Sequence, residues 1–249
     1  MRIFYGFAHL PHFEHPSATV GSYDGVHGGH MTLINSVVES AKAQHGESIV
    51  LTFDPHPRVT LGCAEGLQLL TSTEEKALLL EQAGIDNLIV IPFDHAFSLL
   101  TPYEFAHDYL IGRVGVETLV VGYNHHFGHD KEGNFDYLDR LHDQFNFHVL
   151  RVAEYDSESE KVSSTVIRRL VERGEMAHAA RMMPHPYLLI GEVVDNSIYI
   201  AEPLKLLPPA GIYNVIINGA SDQLTITADG SLRTNATLSA GKVIITFKS

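Results

Sequence analysis

Two histidines bracket two glycines in His27-Gly28-Gly29-His30, within the longer run Thr19-Val-Gly-Ser-Tyr-Asp-Gly-Val-His-Gly-Gly-His30. Glycines at such a point let the backbone pass close to a phosphate that a Cβ would obstruct. A helix beginning there adds free N–H groups and a partial positive charge. Flanking imidazoles can donate hydrogen bonds to phosphoryl oxygens and stabilise charge as it develops during transfer. Spacing alone is equally consistent with a Gly-rich turn carrying incidental histidines, because the chain has 16 of them. A second run, Val162-Ser-Ser-Thr-Val-Ile-Arg168, offers Ser163 or Ser164 as a helix cap, with Thr165 and Arg168 on the first turn. Hydroxyls and a guanidinium at a helix start suit a polyphosphate. An ordinary N-cap followed by a surface arginine has the same pattern.

Two further stretches could form ligand walls. In Asp54-Pro-His-Pro-Arg58 the prolines stiffen a loop at a strand end, which is also what a plain terminating turn looks like. Val121-Gly-Tyr-Asn-His-His-Phe-Gly-His129 carries glycines and aromatic rings suited to a flat ring system, and Asn124 could hold a ligand or a hydrated cation. The His9/His12/His15 and His125/His126/His129 groups have short spacing but lack the Cys or acidic partners of a defined zinc array, so no dedicated metal site is expected. Cys63 has no recognisable base beside it, and no Gly-x-Ser-x-Gly elbow is present.

The elements that must position these residues alternate through the first two-thirds of the chain. Ala18–Ser22 reads as a strand, and His30–Gln44 as a helix with Leu33, Ile34, Val37, Val38 and Ala41 on one face. Ser48–Phe53 is a short apolar strand. Thr73, as N-cap, opens a helix to about Ala83 that stops at Gly84. Leu88–Ile91 is a strand, Thr101-Pro102 starts a helix, Thr118–Gly122 and His148–Val152 are strands, and Asp136–Phe145 between them is helical. Apolar strands joined by helices predict a parallel, doubly wound α/β sheet of Rossmann-like type, whose ligands sit beyond the carboxyl strand ends. Past Pro184-His-Pro186 the segments become short and β-rich: Tyr187–Val194, Ser197–Ala201, Gly211–Asn218, Gln223–Thr227 and Lys242–Phe247. Turns at Asp195-Asn196, Asn218-Gly219 and Asp229-Gly230 separate them, which predicts a small antiparallel β-barrel-like domain. The expected division is 1–183 and 184–249.

Composition narrows the partners. Lys plus Arg number 17 against 30 Asp plus Glu, a formal net charge of −13. That balance argues against nucleic acid and anionic membranes as partners, though not against a small phosphorylated ligand. Met1-Arg-Ile-Phe-Tyr5 lacks the design of a signal peptide, no apolar run is long enough to span a bilayer, and a single cysteine cannot form an internal disulfide, so a cytoplasmic location is expected. Oligomeric state is not legible.

Five segments occur in one order: Gly21-Ser-Tyr-Asp-Gly-Val-His-Gly-Gly-His30, Thr52-Phe-Asp-Pro-His-Pro-Arg58, Leu70-Thr-Ser-Thr-Glu-Glu-Lys76, Val121-Gly-Tyr-Asn-His-His-Phe-Gly128 and Val162-Ser-Ser-Thr-Val-Ile-Arg168. Together they resemble the bacterial bifunctional riboflavin kinase/FAD synthetase family, specifically its FMN adenylyltransferase domain. The resemblance implies a nucleotidyltransferase that joins ATP and FMN, with Mg²⁺, into FAD and pyrophosphate. It implies ATP contacts at Gly21, Ser22, Tyr23, Asp24, His27, Gly29, His30, Ser163, Ser164, Thr165 and Arg168, with His27, His30 and Arg168 serving catalysis. It places the flavin near Phe53, Asp54, Pro55, His56, Pro57, Asn124 and Phe127. Tyr23 replaces the family's usual Phe, Gly28-Gly29 replaces a bulky residue and Gly, and Asn124-His125 replaces Asp-Phe. The tail keeps Pro208-Pro-Ala-Gly-Ile-Tyr213 but has no Gly-Arg-x-Leu-Gly-Phe-Pro-Thr-Ala-Asn motif, so a degenerate β domain without riboflavin kinase activity is expected. Two other readings stay open: a non-catalytic flavin-nucleotide binder or regulator, and a nucleotidyltransferase with another phosphorylated acceptor.

Overall fold

A computed structural model describes residues 1–123, 127–129, 132–153, 162–195 and 197–248, except the side chain of residue 143. The chain forms two compact units, and they do not follow a single cut. The first comprises Met1–Tyr23, Gly29–Glu65 and Leu79–Asp156; the second comprises Asp24–Gly28, Gly66–Leu78 and Ser157–Ser249.

The first unit holds strands β1 (Arg2–Tyr5), β2 (Ser17–Val20), β3 (Ser48–Asp54), β4 (Asn87–Pro92), β5 (Thr118–Gly122) and β6 (His148–Val152). Every pairing is parallel, in the order β1-β4-β3-β2-β5-β6. β2, most of β3, β4 and β5 are buried, which explains their unbroken apolar runs. Chain order runs outward from β2 through β3 to β4 and then returns to β5 on the other side of β2. Such a reversal is the point beyond which open α/β sheets bind ligands. β1 escaped the sequence pattern because it is a four-residue edge strand with exposed Ile3 and Tyr5.

Helix α1 (Gly28–Ala43) buries Ile34, Val37, Val38 and Ala41, as its spacing predicts, and leaves Leu33 half-buried. The short α2 (Pro57–Thr60) follows β3. Helix α3 (Thr73–Gln82) contains a boundary between the two units. Its cap is Ser72 rather than Thr73: Ser72 Oγ accepts from Glu75 N at 3.1 Å, and Glu75 Oε2 accepts from Ser72 N at 2.8 Å. Glu three residues after a Ser closes this reciprocal box, whereas Thr73 has already entered the helix. Next come α4 (His95–Ser98) and α5 (Pro102–Glu104), the latter opened by a Thr101/Glu104 capping box. A π-helical segment, Phe105–Val114, continues from α5 and ends at left-handed Gly115. α6 (Phe135–Phe145) precedes β6.

The second unit contains α7 (Ser164–Glu172) and α8 (Met176–Met182), then β7 (Leu188–Val194), β8 (Ser197–Tyr199), β9 (Gly211–Ile217), β10 (Ala220–Ile226), β11 (Leu232–Thr234) and β12 (Gly241–Phe247). The strands close into an antiparallel barrel ordered β10-β11-β8-β7-β12-β9. β10 begins at Ala220, three residues before the expected Gln223, because Asn218 (φ 47°) and Gly219 (φ 88°) form a two-residue reversal. β8 stops at Tyr199 instead of Ala201, and the three-residue β11 gave no sequence signal. The barrel core is continuous with Ile167, Leu170 and Val171 of α7 and Met176, Ala179 and Met182 of α8. A fully buried ion pair, Lys205 Nζ to Glu75 Oε2 at 2.7 Å, also lies in this unit. Glu75 Oε1 accepts from Ile190 N at 2.8 Å, and the Lys205 ammonium sits 4.3 Å from the Tyr187 ring centre.

Gly46, between α1 and β3, lies so close to the His15 backbone that a Cβ would overlap the His15 carbonyl oxygen. Gly84, past α3, has φ +87° and open space around it. Gly46→Ala is therefore expected to cost about 1–3 kcal/mol through overpacking, and Gly84→Ala about 1 kcal/mol through backbone conformation alone. Urea denaturation of both variants checks the order; equal losses would contradict it.

Candidate active site

In the second unit a short turn, Asp24–Gly28, is tied down by three other segments. Asp24 Oδ1 accepts from Thr71 N at 3.0 Å and, at 3.4 Å, from Thr71 Oγ1. Asp24 Oδ2 accepts from Arg168 Nη2 at 2.8 Å. The Asp24 carbonyl accepts from Ser164 Oγ at 2.8 Å, and Gly25 N donates to Thr71 Oγ1 at 3.0 Å. Arg168 Nε donates to the Gln68 carbonyl at 2.6 Å, so its guanidinium spans two partners. Ser163, not Ser164, caps α7 by accepting from Val166 N at 3.3 Å; Ser164 instead uses its hydroxyl on the turn. Thr165 lies exposed on the first turn of α7. The two polar runs singled out in the sequence thus meet at Asp24.

The turn is locally strained. Val26, β-branched, has φ 38°, and Gly25 has φ 84°. A Cβ on Gly25 would come within 2.7 Å of Leu70 Cδ1. Two imidazoles accompany it. His27 is buried, and burial pushes its pKa down to about 4; the His185 ring lowers it further, against the Asp24 charge. His185 Nε2 lies 3.1 Å from the Gly25 carbonyl and Nδ1 lies 2.9 Å from the Pro186 carbonyl. Burial also lowers the His185 pKa. At neutral pH the His27 ring is uncharged, with a single N–H to give. His185 had drawn notice only as part of a Pro-flanked junction, and a lone His between prolines carries no chemical signature.

In the first unit the same strand-to-helix connection carries Gly21, Ser22 and Tyr23. Tyr23 is buried with φ 48°, and its hydroxyl lies 2.7 Å from Thr19 Oγ1. A Cβ on Gly21 would be 3.0 Å from the Tyr23 ring, which requires glycine or a shifted tyrosine there. The Ser22 carbonyl accepts from Thr52 Oγ1 at 3.2 Å. His30 packs edge-on against Tyr23, with ring centres 5.1 Å apart. His27 immediately precedes α1 and His30 occupies its first turn, so both accompany a helix N-terminus.

At the carboxyl ends of β2, β3 and β4 the first unit has a cavity of about 350 Å³. Gly21, Ser22, Phe53, Pro57 and Phe127 line it, five residues expected from the sequence. Phe93, Phe97, Leu100 and Phe105 complete a largely aromatic wall, with Phe97 5.7 Å from Phe93 and 5.8 Å from Phe105. Those four escaped because apolar residues after a strand look like core; a Phe93/Phe97 spacing of four across Asp94, the cap of α4, was the available signal. Asp54, Pro55 and His56 do not line the cavity. Asp54 and Pro55 are exposed, while His56 Nδ1 caps α2 by accepting from Arg58 N. Asn124 lies outside the described residues, as do His125 and His126. Elsewhere His15 pairs with Glu117 at 3.0 Å, and among the described residues no group of three His, Cys, Asp or Glu is placed to hold a metal. Also among the described residues, no helix is long and apolar enough to cross a membrane.

A parallel sheet with a cavity at the carboxyl ends of β2–β4 defines a doubly wound α/β domain. The FAD synthetase family profile matches residues 11–166. An FAD synthetase of Listeria monocytogenes is 31% identical, the match covering 78% of each chain. A bifunctional riboflavin kinase/FMN adenylyltransferase of the same organism is 35% identical over 79% of this chain and 66% of its own length. The corresponding Escherichia coli K12 protein is 29% identical over 72% of this chain and 57% of its own. The chain therefore spans about three-fifths of the length of these bifunctional relatives. A crystal structure of a Streptococcus pneumoniae protein described as a macrolide-efflux protein has the same fold, with TM-score 0.82 and 21% identity over 99% of this chain and 90% of that one. The chain belongs to the FAD synthetase family.

The depressed His27 pKa has a consequence for stability. Above pH 6.5 the ring is neutral whether the chain is folded or not. Between pH 6.5 and about 4 the unfolded chain takes up a proton that the folded chain refuses, so stability falls as pH falls through that window. The full effect is on the order of 3 kcal/mol, at about 1.4 kcal/mol per unit. His27→Gln should flatten the stability–pH curve between those limits. Parallel curves for wild type and variant, from denaturant titrations at stepped pH, would refute the assignment.

Proposed function

We propose that the protein is an FMN adenylyltransferase, transferring AMP from ATP to FMN to give FAD and pyrophosphate. The observation that carries this reading is the pairing of a polar, glycine-bearing helix start with an aromatic cavity at the carboxyl ends of β2–β4. In the first unit the start of α1, with His30, is the element suited to a phosphate; in the second unit His27 and the Ser163–Thr165 start of α7 have the same chemistry. A neutral His27 donates a hydrogen bond without adding charge that the buried turn would have to solvate. The isoalloxazine of FMN is a flat aromatic system, and Phe53, Phe97 and Phe127 offer it edge and face contacts.

The chemistry needs no covalent enzyme intermediate. A phosphate oxygen of FMN attacks the α-phosphorus of ATP; the new P–O bond forms as the bond to the β-phosphate oxygen breaks, and pyrophosphate leaves with the electron pair. The protein's contribution is alignment and stabilisation of charge on the transferring phosphoryl group. ATP enters as its Mg²⁺ complex. The Asp24 carboxylate is already taken up by Arg168 and Thr71, so the ion is held mainly by the phosphates and water, as is usual for Mg²⁺. Residues 1–183 supply this activity. The barrel, without the kinase motif, does not phosphorylate riboflavin, and the reaction takes place in the cytoplasm.

Incubation with FMN, ATP and Mg²⁺, followed by chromatography of the flavins, should yield FAD; the absence of FAD refutes the reading. Riboflavin with ATP should stay unconverted, and FMN appearing there would restore the kinase. His30→Ala should slow FAD formation by about 100-fold or more. Phe97→Ala should raise the KM for FMN with little effect on that for ATP.

A further inference from the structure

Arg168 has the residue type and place expected of a phosphate ligand, but two of its donors are directed within the protein. One reaches Asp24 and another the Gln68 carbonyl. Both side chains of the ion pair are largely buried, at 14% and 6% exposure for Arg168 and Asp24. Asp24 in turn collects the Thr71 amide and hydroxyl, while its own carbonyl takes the Ser164 hydroxyl. The backbone so gripped includes Val26 at φ 38°, directly before His27. A β-branched residue persists in the left-handed region only where surrounding contacts over-determine it. Two residues separate Asp24 from His27, and the Asp24 charge acts on the His27 ring.

We propose that Asp24 and Arg168 are positioning residues: the pair clamps the strained Asp24–Gly28 turn so that His27 is held aimed at its phosphoryl target, and Arg168 does not itself bind the leaving pyrophosphate. The inference rests on the adenylyltransferase reading for its kinetic consequences but not for the clamp. Asp24→Asn removes the charge that holds Arg168 while keeping the side-chain shape. Arg168→Met keeps much of the length of the side chain and loses every donor. A residue acting through His27 affects the transition state, so each variant lowers kcat while leaving ATP binding nearly intact. Because the two residues act as one unit, their effects do not add.

Steady-state FAD formation by wild type, Asp24→Asn, Arg168→Met and the double variant decides the kinetic part, each variant first shown folded at the assay temperature by circular dichroism. The clamp predicts kcat lowered about 100-fold in either single variant, KM for ATP within threefold of wild type, and a double variant no slower than the slower single one. A KM for ATP raised tenfold or more in Arg168→Met, or losses that multiply in the double variant, would place Arg168 on the nucleotide and overturn the proposal. Should Asp24→Asn fail to fold, Thr71→Val removes one support and leaves the ion pair; it must lower kcat several-fold at constant KM, and an unchanged kcat overturns the clamp. A substrate-free measurement separates this proposal from the adenylyltransferase reading. The His27 ring resonances, from histidine-labelled protein, should shift in both Asp24→Asn and Arg168→Met. Unchanged resonances defeat the clamp even if FAD is made, whereas shifted resonances in a protein that makes no FAD leave the clamp standing and defeat only the reading of function.

Discussion

The Asp24 carboxylate holds a stretch of backbone in a conformation that its own residues disfavour. Tyr23 at φ 48° and Val26 at φ 38° each cost free energy that a loop of water-exposed residues would relieve by relaxing. The relief is blocked because both carboxylate oxygens and three backbone groups of the turn, the Asp24 carbonyl and the Gly25 amide and carbonyl, already have partners on Thr71, Arg168, Ser164 and His185. Under the proposed function the choice of an acid for this task has an electrostatic cost, since a bare carboxylate would repel ATP. Arg168 cancels that charge at 2.8 Å. The ion pair therefore fixes geometry while presenting little net charge.

The turn and the cavity have different physical origins. The Asp24–Gly28 turn has backbone groups satisfied by side chains from distant segments, so its geometry depends on long-range hydrogen bonds. The cavity in the first unit depends on packing. Phe53 follows the buried part of β3, Phe93 follows β4, and Phe97 is set by the Asp94 cap of α4, where Oδ1 accepts from Phe97 N at 2.7 Å. Short capped elements after strands deliver aromatic rings to one place with little freedom. Gly128, with φ 75° and no room for a Cβ beside Pro102, brings the Phe127 segment close to α5.

Long periodic elements were legible from the sequence, because burial on one helix face or on both sheet faces leaves a repeating apolar pattern. α1, β3, β4, β5 and α6 appear close to their expected bounds for that reason. The edge strand β1 and the short β11 lacked a buried face long enough to show a period. In the candidate site, residue type and motif order singled out His27, His30, Ser163, Ser164 and Arg168, but not what each touches. Arg168 reads as a phosphate ligand in one dimension and as a partner of Asp24 in three. Thr71 contributes chiefly an amide and hydroxyl to a residue 47 positions away, and Gln68 only a carbonyl. Backbone groups have no sequence signature, so this half of the site was invisible by its nature.

The same distinction shows what the barrel contributes to α7. α7 carries the Ser163–Arg168 segment at its start, yet its apolar face, Ile167, Leu170 and Val171, belongs to the barrel's core cluster rather than to that of the parallel sheet. Burying each of these side chains contributes roughly 1.5–3 kcal/mol. Uncovering three of them would cost an amount comparable to the whole stability of a typical domain, about 5–15 kcal/mol. A shortened chain that kept α7 and lost the barrel would expose that face, and the N-terminal turn of α7 could no longer hold Ser164 and Arg168 against Asp24. On this argument the β domain supports the helix that presents Ser164 and Arg168 to the Asp24 turn, which is a structural reason for its core to be maintained.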